Sequence, residues 1–106
     1  MSYRFMRTLV FFDLPTITME DRRNYRKFRK MLMKNGFIML QESVYCRLLI
    51  TPSAEQAAVK LIRENKPPAG MVMILTVTEK QFSKMEYVVG ESHSEYIDSD
   101  ERLIIL

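Results

Sequence analysis

Cysteine and histidine are almost missing from this 106-residue chain: each occurs once, as Cys46 and His93. A single cysteine excludes an intrachain disulfide framework and a cysteine-rich zinc site. One histidine with no second soft ligand nearby argues against a structural zinc site. A Ser-His-Asp hydrolase would have to use His93, which stands in a polar acidic stretch. With 3 Gly and 4 Pro the chain has no room for linkers or low-complexity tracts. No run approaches the roughly 18 apolar residues of a membrane span. The longest uncharged stretch, 67–78, holds 12 residues and opens with two prolines. Arg4 and Arg7 break up the uncharged core that a signal peptide needs. The expectation is a cytoplasmic protein with no membrane partner.

What is present reads as one domain over 1–106. Apolar residues make up 47% and charged residues 27%, a globular balance. A chain this short buries a modest fraction of its surface, so oligomerisation is a natural way to bury more. The net charge of +3 is unevenly spread. Residues 1–53 carry 10 Lys/Arg against 4 Asp/Glu; residues 54–106 carry 6 against 9. A basic first half points to a polyanion or an acidic surface as partner.

Residues 5–14 contain the apolar run Leu9-Val10-Phe11-Phe12 and predict a strand covered on both faces. Asp13 follows, and Leu14-Pro15 ends it. Thr18 with Asp21 resembles a capping box, opening a helix from about Met19 to Asn35 with Gly36 at C′. Residues 37–50 look extended, with Gln41-Glu42-Ser43 as the break between two strands. Ser53 with Gln56 predicts a second capping box, followed by helical spacing at Ala54, Ala57, Ala58, Leu61 and Ile62. Met71 to Thr78 is a further covered strand. Met85–Val89 and Arg102–Leu106 are short strand candidates, the latter after an acidic loop that opens at about residue 91. The order is β-α-β-β-α-β with one or two extra strands, an α+β ferredoxin-like arrangement with both helices on one face of an antiparallel sheet. The other face is apolar and no further helix is predicted to cover it, so a homodimer packed sheet to sheet is the economical answer.

Three features carry candidate chemistry. On a helical wheel Tyr25, Phe28 and Leu32 share a stripe about 60° wide. Arg23, Arg26, Lys27, Lys30 and Lys34 lie opposite, and Arg22 and Arg29 flank the stripe. Charge runs are usually solvated faces. Those mix signs, however, whereas here like charges repeat at i,i+4 with only Glu20 and Asp21 at the helix start to oppose them. Such a face suits phosphate contact, and the lack of interleaved aromatics favours backbone over base. It is expected on the helix-covered side of the sheet, away from a dimer axis. Asp13 ends an apolar strand. It reads either as a turn aspartate before Pro15 or as a carboxylate for a cation, with a two-fold axis supplying the second acid for Mg²⁺ or Mn²⁺. Ser43 could point its hydroxyl beside Asp13, and without a base it is not a nucleophile. The nine methionines read as core filler. Leu103, Ile104, Ile105 and Leu106 form a β-prone end suited to pairing with a sheet edge of a partner.

Phe11-Phe12-Asp13-Leu14-Pro15, Tyr25-Arg26-Lys27-Phe28-Arg29-Lys30, Gly36-Phe37-Ile38, Gln41-Glu42-Ser43-Val44-Tyr45 and the stretch 75–82 occur in that order and spacing. Together they resemble the CRISPR-associated Cas "two" family, the small adaptation protein, in its type II form. The resemblance covers essentially the whole chain. It implies a ferredoxin-like homodimer bridging two dimers of the Cas "one" integrase and holding a double-stranded prespacer for insertion into the CRISPR array. It also implies a metal-dependent endonuclease acting on RNA or DNA, with the acid ending the first strand, here Asp13, sharing a divalent ion across the dimer as a catalytic and metal-binding residue. No general base and no second acid stand beside Asp13 in the sequence. Three readings follow from different classes: a scaffold that holds duplex DNA, a nuclease whose catalysis is itself required, and a toxin-like endoribonuclease of related fold.

Overall fold

The computed structural model describes residues 5–91. The elements run β1 (Met6–Asp13), α1 (Met19–Lys34), β2 (Ile38–Gln41), β3 (Val44–Leu49), α2 (Pro52–Glu64), β4 (Met71–Thr78) and α3 (Glu79–Phe82). The four strands form one antiparallel sheet in the order β2-β3-β1-β4. This is the expected ferredoxin-like arrangement. The predicted strand at Arg102–Leu106, the partner segment Leu103–Leu106 and nearly all of the 91–106 acidic tail lie outside the described residues.

Alternation along β1 divides the molecule. Val10 and Phe12 point to the helices and pack with Leu14, Phe28 and Leu32 of α1, Phe37, Tyr45 and Leu49, and Ala58 and Ile62 of α2. Phe12 is the hub, with its ring 5.2 Å from Phe28, 5.7 Å from Tyr45 and 6.0 Å from Tyr25. Each large side chain buried this way contributes about 1.5–3 kcal/mol. Thr8 is also buried on this face, where its hydroxyl is satisfied by Thr76 Oγ1 at 2.8 Å.

The turn chemistry of α1 is as the sequence indicates. The Thr18 hydroxyl accepts from Asp21 N–H, and the Asp21 carboxylate accepts from Thr18 N–H. Gly36, at φ 87°, leaves the helix end in the left-handed region. The start of α2 differs from expectation. Thr51, not Ser53, is the N-cap and accepts from Ala54 N–H at 3.1 Å. Pro52 accounts for this: its fixed φ and missing N–H suit the first helical position, which places the cap one residue before it.

The second face of the sheet carries Leu9, Phe11 and Val44, and the outward positions of β4, Met71, Met73 and Leu75. It is partly roofed by an element the sequence reading did not include. Thr78 and Gln81 form a reciprocal capping box that starts the short helix α3. The chain then crosses above the sheet, so Met85–Val89 is irregular and exposed and not the predicted strand. Between this crossing and the sheet lies an open trough of about 950 Å³. Leu9 is buried beneath it, whereas Met73 and Leu75 remain 54% and 53% exposed. Among the described residues no helix is long and apolar enough to cross a membrane.

Candidate nucleic-acid interface

The seven cations assigned to the basic helix divide into two groups. Arg22 donates to the carbonyls of Thr16 at 3.1 Å and Ile17 at 2.8 Å, which fastens the β1–α1 loop to the first turn. Arg29 donates through Nε to Tyr45 Oη at 2.7 Å, and that bond raises the guanidinium further above its ordinary value. Both are partly engaged within the fold. Arg23, Arg26, Lys27, Lys30 and Lys34 are exposed and make no ion pair or side-chain hydrogen bond with the described residues. Five free cations therefore occupy the outer face of α1 while Phe28 and Leu32 fix its inner face in the core.

Asp13 ends β1 opposite Met71, on the side of the sheet away from the helices, and its side chain is exposed. The backbone there is held closely. Phe12 N–H donates to Ser43 C=O at 3.0 Å, which carries the β1–β3 pairing one step beyond Val44. Gly70, at φ 93°, passes so near that a Cβ on it would lie 2.5 Å from the Asp13 carbonyl oxygen. Asp13 and Ser43 share an open hollow of about 370 Å³ with Arg22, Tyr25, Arg26 and Glu42. Ser43 and Asp13 therefore line one hollow. Arg22 and Arg26 reach this hollow although Asp13 lies on the face away from the helices, because α1 starts close to the end of β1. Tyr25 and Glu42 belong to the same hollow and the sequence reading gave neither a role there. Tyr25 Oη donates to the Glu42 carbonyl at 3.3 Å, which ties α1 to the β2–β3 turn. The Glu42-Ser43 pair between two strands was the available signal.

Among the described residues no three His, Cys, Asp or Glu side chains come together as ligands. Asp13 and Glu42 are the carboxylates of the hollow, and Arg22 and Arg26 border it. Mg²⁺ and Mn²⁺ take near-octahedral oxygen donors, commonly one or two carboxylates completed by water, so Asp13 and Glu42 are the side chains here that could hold such an ion.

Beneath α3 lies the other ionic feature. Arg7 is 4% exposed, donates through both Nε and Nη2 to the Glu79 carboxylate, and has its guanidinium carbon 4.3 Å from the centre of the Phe82 ring. Burial pulls its pKa down, but the Glu79 hydrogen bonds and charge, with a smaller contribution from Cys46, outweigh burial and hold the guanidinium charged. Arg7 Nη1 also reaches Cys46 Sγ at 3.7 Å. Burial pushes the Cys46 thiol up, and Arg7 offsets only part of that rise.

A split β-α-β-β-α-β sheet, with a cationic outer helix and an exposed carboxylate ending its first strand, defines a small α+β domain. The chain belongs to the family described as CRISPR associated protein Cas2, whose model matches residues 6–85. It is 56% identical over 101 residues to a protein named "CRISPR-associated endoribonuclease Cas2" from Treponema denticola, an alignment covering 95% of this chain and all of that relative. Proteins of the same printed name from Streptococcus mutans, at 50% over 95% of this chain and 93% of the relative, and from Ligilactobacillus salivarius, at 44% over 95% of this chain and all of the relative, are also similar.

Proposed function

We propose that this protein acts in CRISPR adaptation as a homodimer that bridges two integrase dimers and holds a prespacer duplex by its phosphate backbone. The observation that carries this reading is the outer face of α1, where Arg23, Arg26, Lys27, Lys30 and Lys34 are exposed without a carboxylate partner. Like charges held at i,i+4 repel, and a neutralising polyanion removes that repulsion. The exposed apolar positions Met71, Met73 and Leu75 support the dimer, since they give a second copy a surface to cover. Salt-dependent binding of random-sequence duplex tests the reading. Affinity falls with a log–log slope of about −0.9 per phosphate contacted, and charge reversal at Arg26 and Lys30 weakens it. A flat salt response, or a strong preference for one sequence, would count against backbone recognition.

The hollow at Asp13 supports a second reading, a metal-dependent endoribonuclease or endodeoxyribonuclease whose catalysis is itself required. Its support is a hollow lined by the exposed Asp13, Ser43 and two arginines, together with the word endoribonuclease in the relatives' names. A Mg²⁺ or Mn²⁺ ion shared by Asp13 of two chains would supply an activated water. Asp13→Asn separates the readings. On the scaffold reading integration survives the change while any cleavage falls by orders of magnitude. If integration is lost while dimerisation and duplex binding stay normal, catalysis at Asp13 is required and the scaffold reading fails.

A further inference from the structure

The cations of α1 have neighbours on another element. Asp13 pairs with Met71, so the β1–α1 loop and the α2–β4 loop lie side by side at one edge of the sheet. Helix α1 begins at that edge and α2 ends there. Lys27 of α1 and Lys66 both line the groove between the two helices, with Phe28 and Met31 also in its lining. Lys66 also lines a second hollow on the other flank of α2, together with Arg63 and the β4 residues Val72 and Ile74. Lys66 thus stands between the basic face of α1 and Arg63.

The local alternatives do not account for all three cations. A cation in the last turn of a helix meets the negative end of its dipole, which explains Arg63 alone. Lys66 lies beyond the Asn65 cap and lines the same groove as the like-charged Lys27. Glu64 is the one carboxylate lining either hollow, and it makes no ion pair with Lys27, Lys66 or Arg63. All three cations are exposed and without side-chain partners among the described residues.

We infer that the nucleic-acid footprint does not stop at α1: the duplex backbone crosses from Lys27 over Lys66 to Arg63, so that both helices of the layer grip it. This rests on the duplex-binding reading above and assigns it a second contact element. The apolar lining of the groove carries no stacking aromatic other than buried Phe28, so the track suits phosphates and not splayed bases. The occupant proposed is the same double-stranded DNA as in the reading above.

The test is a salt series of binding to random-sequence duplex DNA with the full chain. The proteins compared are the wild type, Arg63→Ala/Lys66→Ala, Arg63→Gln/Lys66→Gln, Arg26→Ala/Lys30→Ala, and the control Lys80→Ala/Lys84→Ala, which removes two charges near α3. Both Arg63/Lys66 pairs are expected to make the slope shallower by about 2 per chain, at about 0.9 per phosphate lost, and to lower affinity at physiological salt by about tenfold or more. The control is expected to leave the slope unchanged. If the Arg26/Lys30 pair loses slope and neither Arg63/Lys66 pair does, the inference is overturned and duplex binding by α1 stands. An equal loss in the Lys80/Lys84 control reduces the effect to general charge and overturns it too. A loss seen with single-stranded RNA and not with the duplex also overturns it. A wild type with no salt-dependent duplex binding removes the reading beneath the inference and the inference with it.

Discussion

Arg7 and Glu79, 72 residues apart in the chain, are joined through two hydrogen bonds between one guanidinium and one carboxylate. This bidentate pair fastens α3 to the centre of the sheet and so sets the wall of the trough above Leu9. Glu79→Ala leaves a buried guanidinium with only Cys46 and the Phe82 ring for company. Breaking a fully buried pair costs about 3–5 kcal/mol. The Glu79 side chain is 39% exposed, and solvent screening reduces that figure. The expected loss is about 1–3 kcal/mol, read from the midpoint of a urea transition; no shift in the midpoint would mean that the pair is not a stability element.

Cys46 gives stability a pH dependence of definite sign. Burial raises the folded thiol above its ordinary value of 9.0, so the native state keeps its proton where the unfolded chain has lost it. The stabilisation is complete below pH about 9 and is lost as pH climbs from there through the folded value. Stability of the wild type should fall more steeply than that of Cys46→Val over that range, when denaturant midpoints are measured at a series of pH values. The same burial predicts that thiol reagents label Cys46 only after unfolding.

Gly70 and Gly36 share a positive φ but differ in their surroundings. At Gly36 the nearest atom to an added Cβ is Arg47 Nε at 3.5 Å, an ordinary contact with a movable side chain. At Gly70 the Asp13 carbonyl oxygen is 2.5 Å away and the Leu14 Cα 3.0 Å, both backbone. Gly36→Ala should therefore cost only the left-handed backbone strain, about 1–2 kcal/mol. Gly70→Ala should cost clearly more and should disturb the end of β1, lowering the melting temperature further than Gly36→Ala does. Equal melting temperatures in the two variants would show that the Asp13 backbone yields freely.

Leu75→Asp tests the apolar second face. The side chain is half exposed in a single chain, so the substitution should leave each protomer folded. In a sheet-to-sheet homodimer it buries an unpaired carboxylate against apolar neighbours, which is strongly unfavourable. Sedimentation at low micromolar concentration should give a dimer for the wild type and a folded monomer for the variant. A monomeric wild type, or a variant that still dimerises, would place the dimer contact elsewhere or remove it.

The sequence by itself determined the four strands, the two long helices and the surface charge. Leu9–Phe12, Met71–Thr78, the Thr18–Asp21 box and Gly36 act through neighbours a few residues away, and such local rules can be read from order alone. The cationic face of α1 was equally legible, because a helix converts spacing directly into direction. Local rules failed where two competed. Pro52 moved the α2 cap to Thr51, and the Thr78–Gln81 box turned the chain into α3 and left Met85–Val89 without a strand partner. Only the tertiary structure decided that Arg22 and Arg29 are drawn into the fold, that Arg22 and Arg26 border the hollow of Asp13 and Ser43, and that Lys27 and Lys66 line one groove. Those relationships join residues distant in the chain. They are fixed by the strand register, Asp13 opposite Met71 and Phe11 opposite Val44, and by the packing of two helices on one sheet face. A charge pattern on one helix states which way its side chains face; what they face is set by the elements that pack against it.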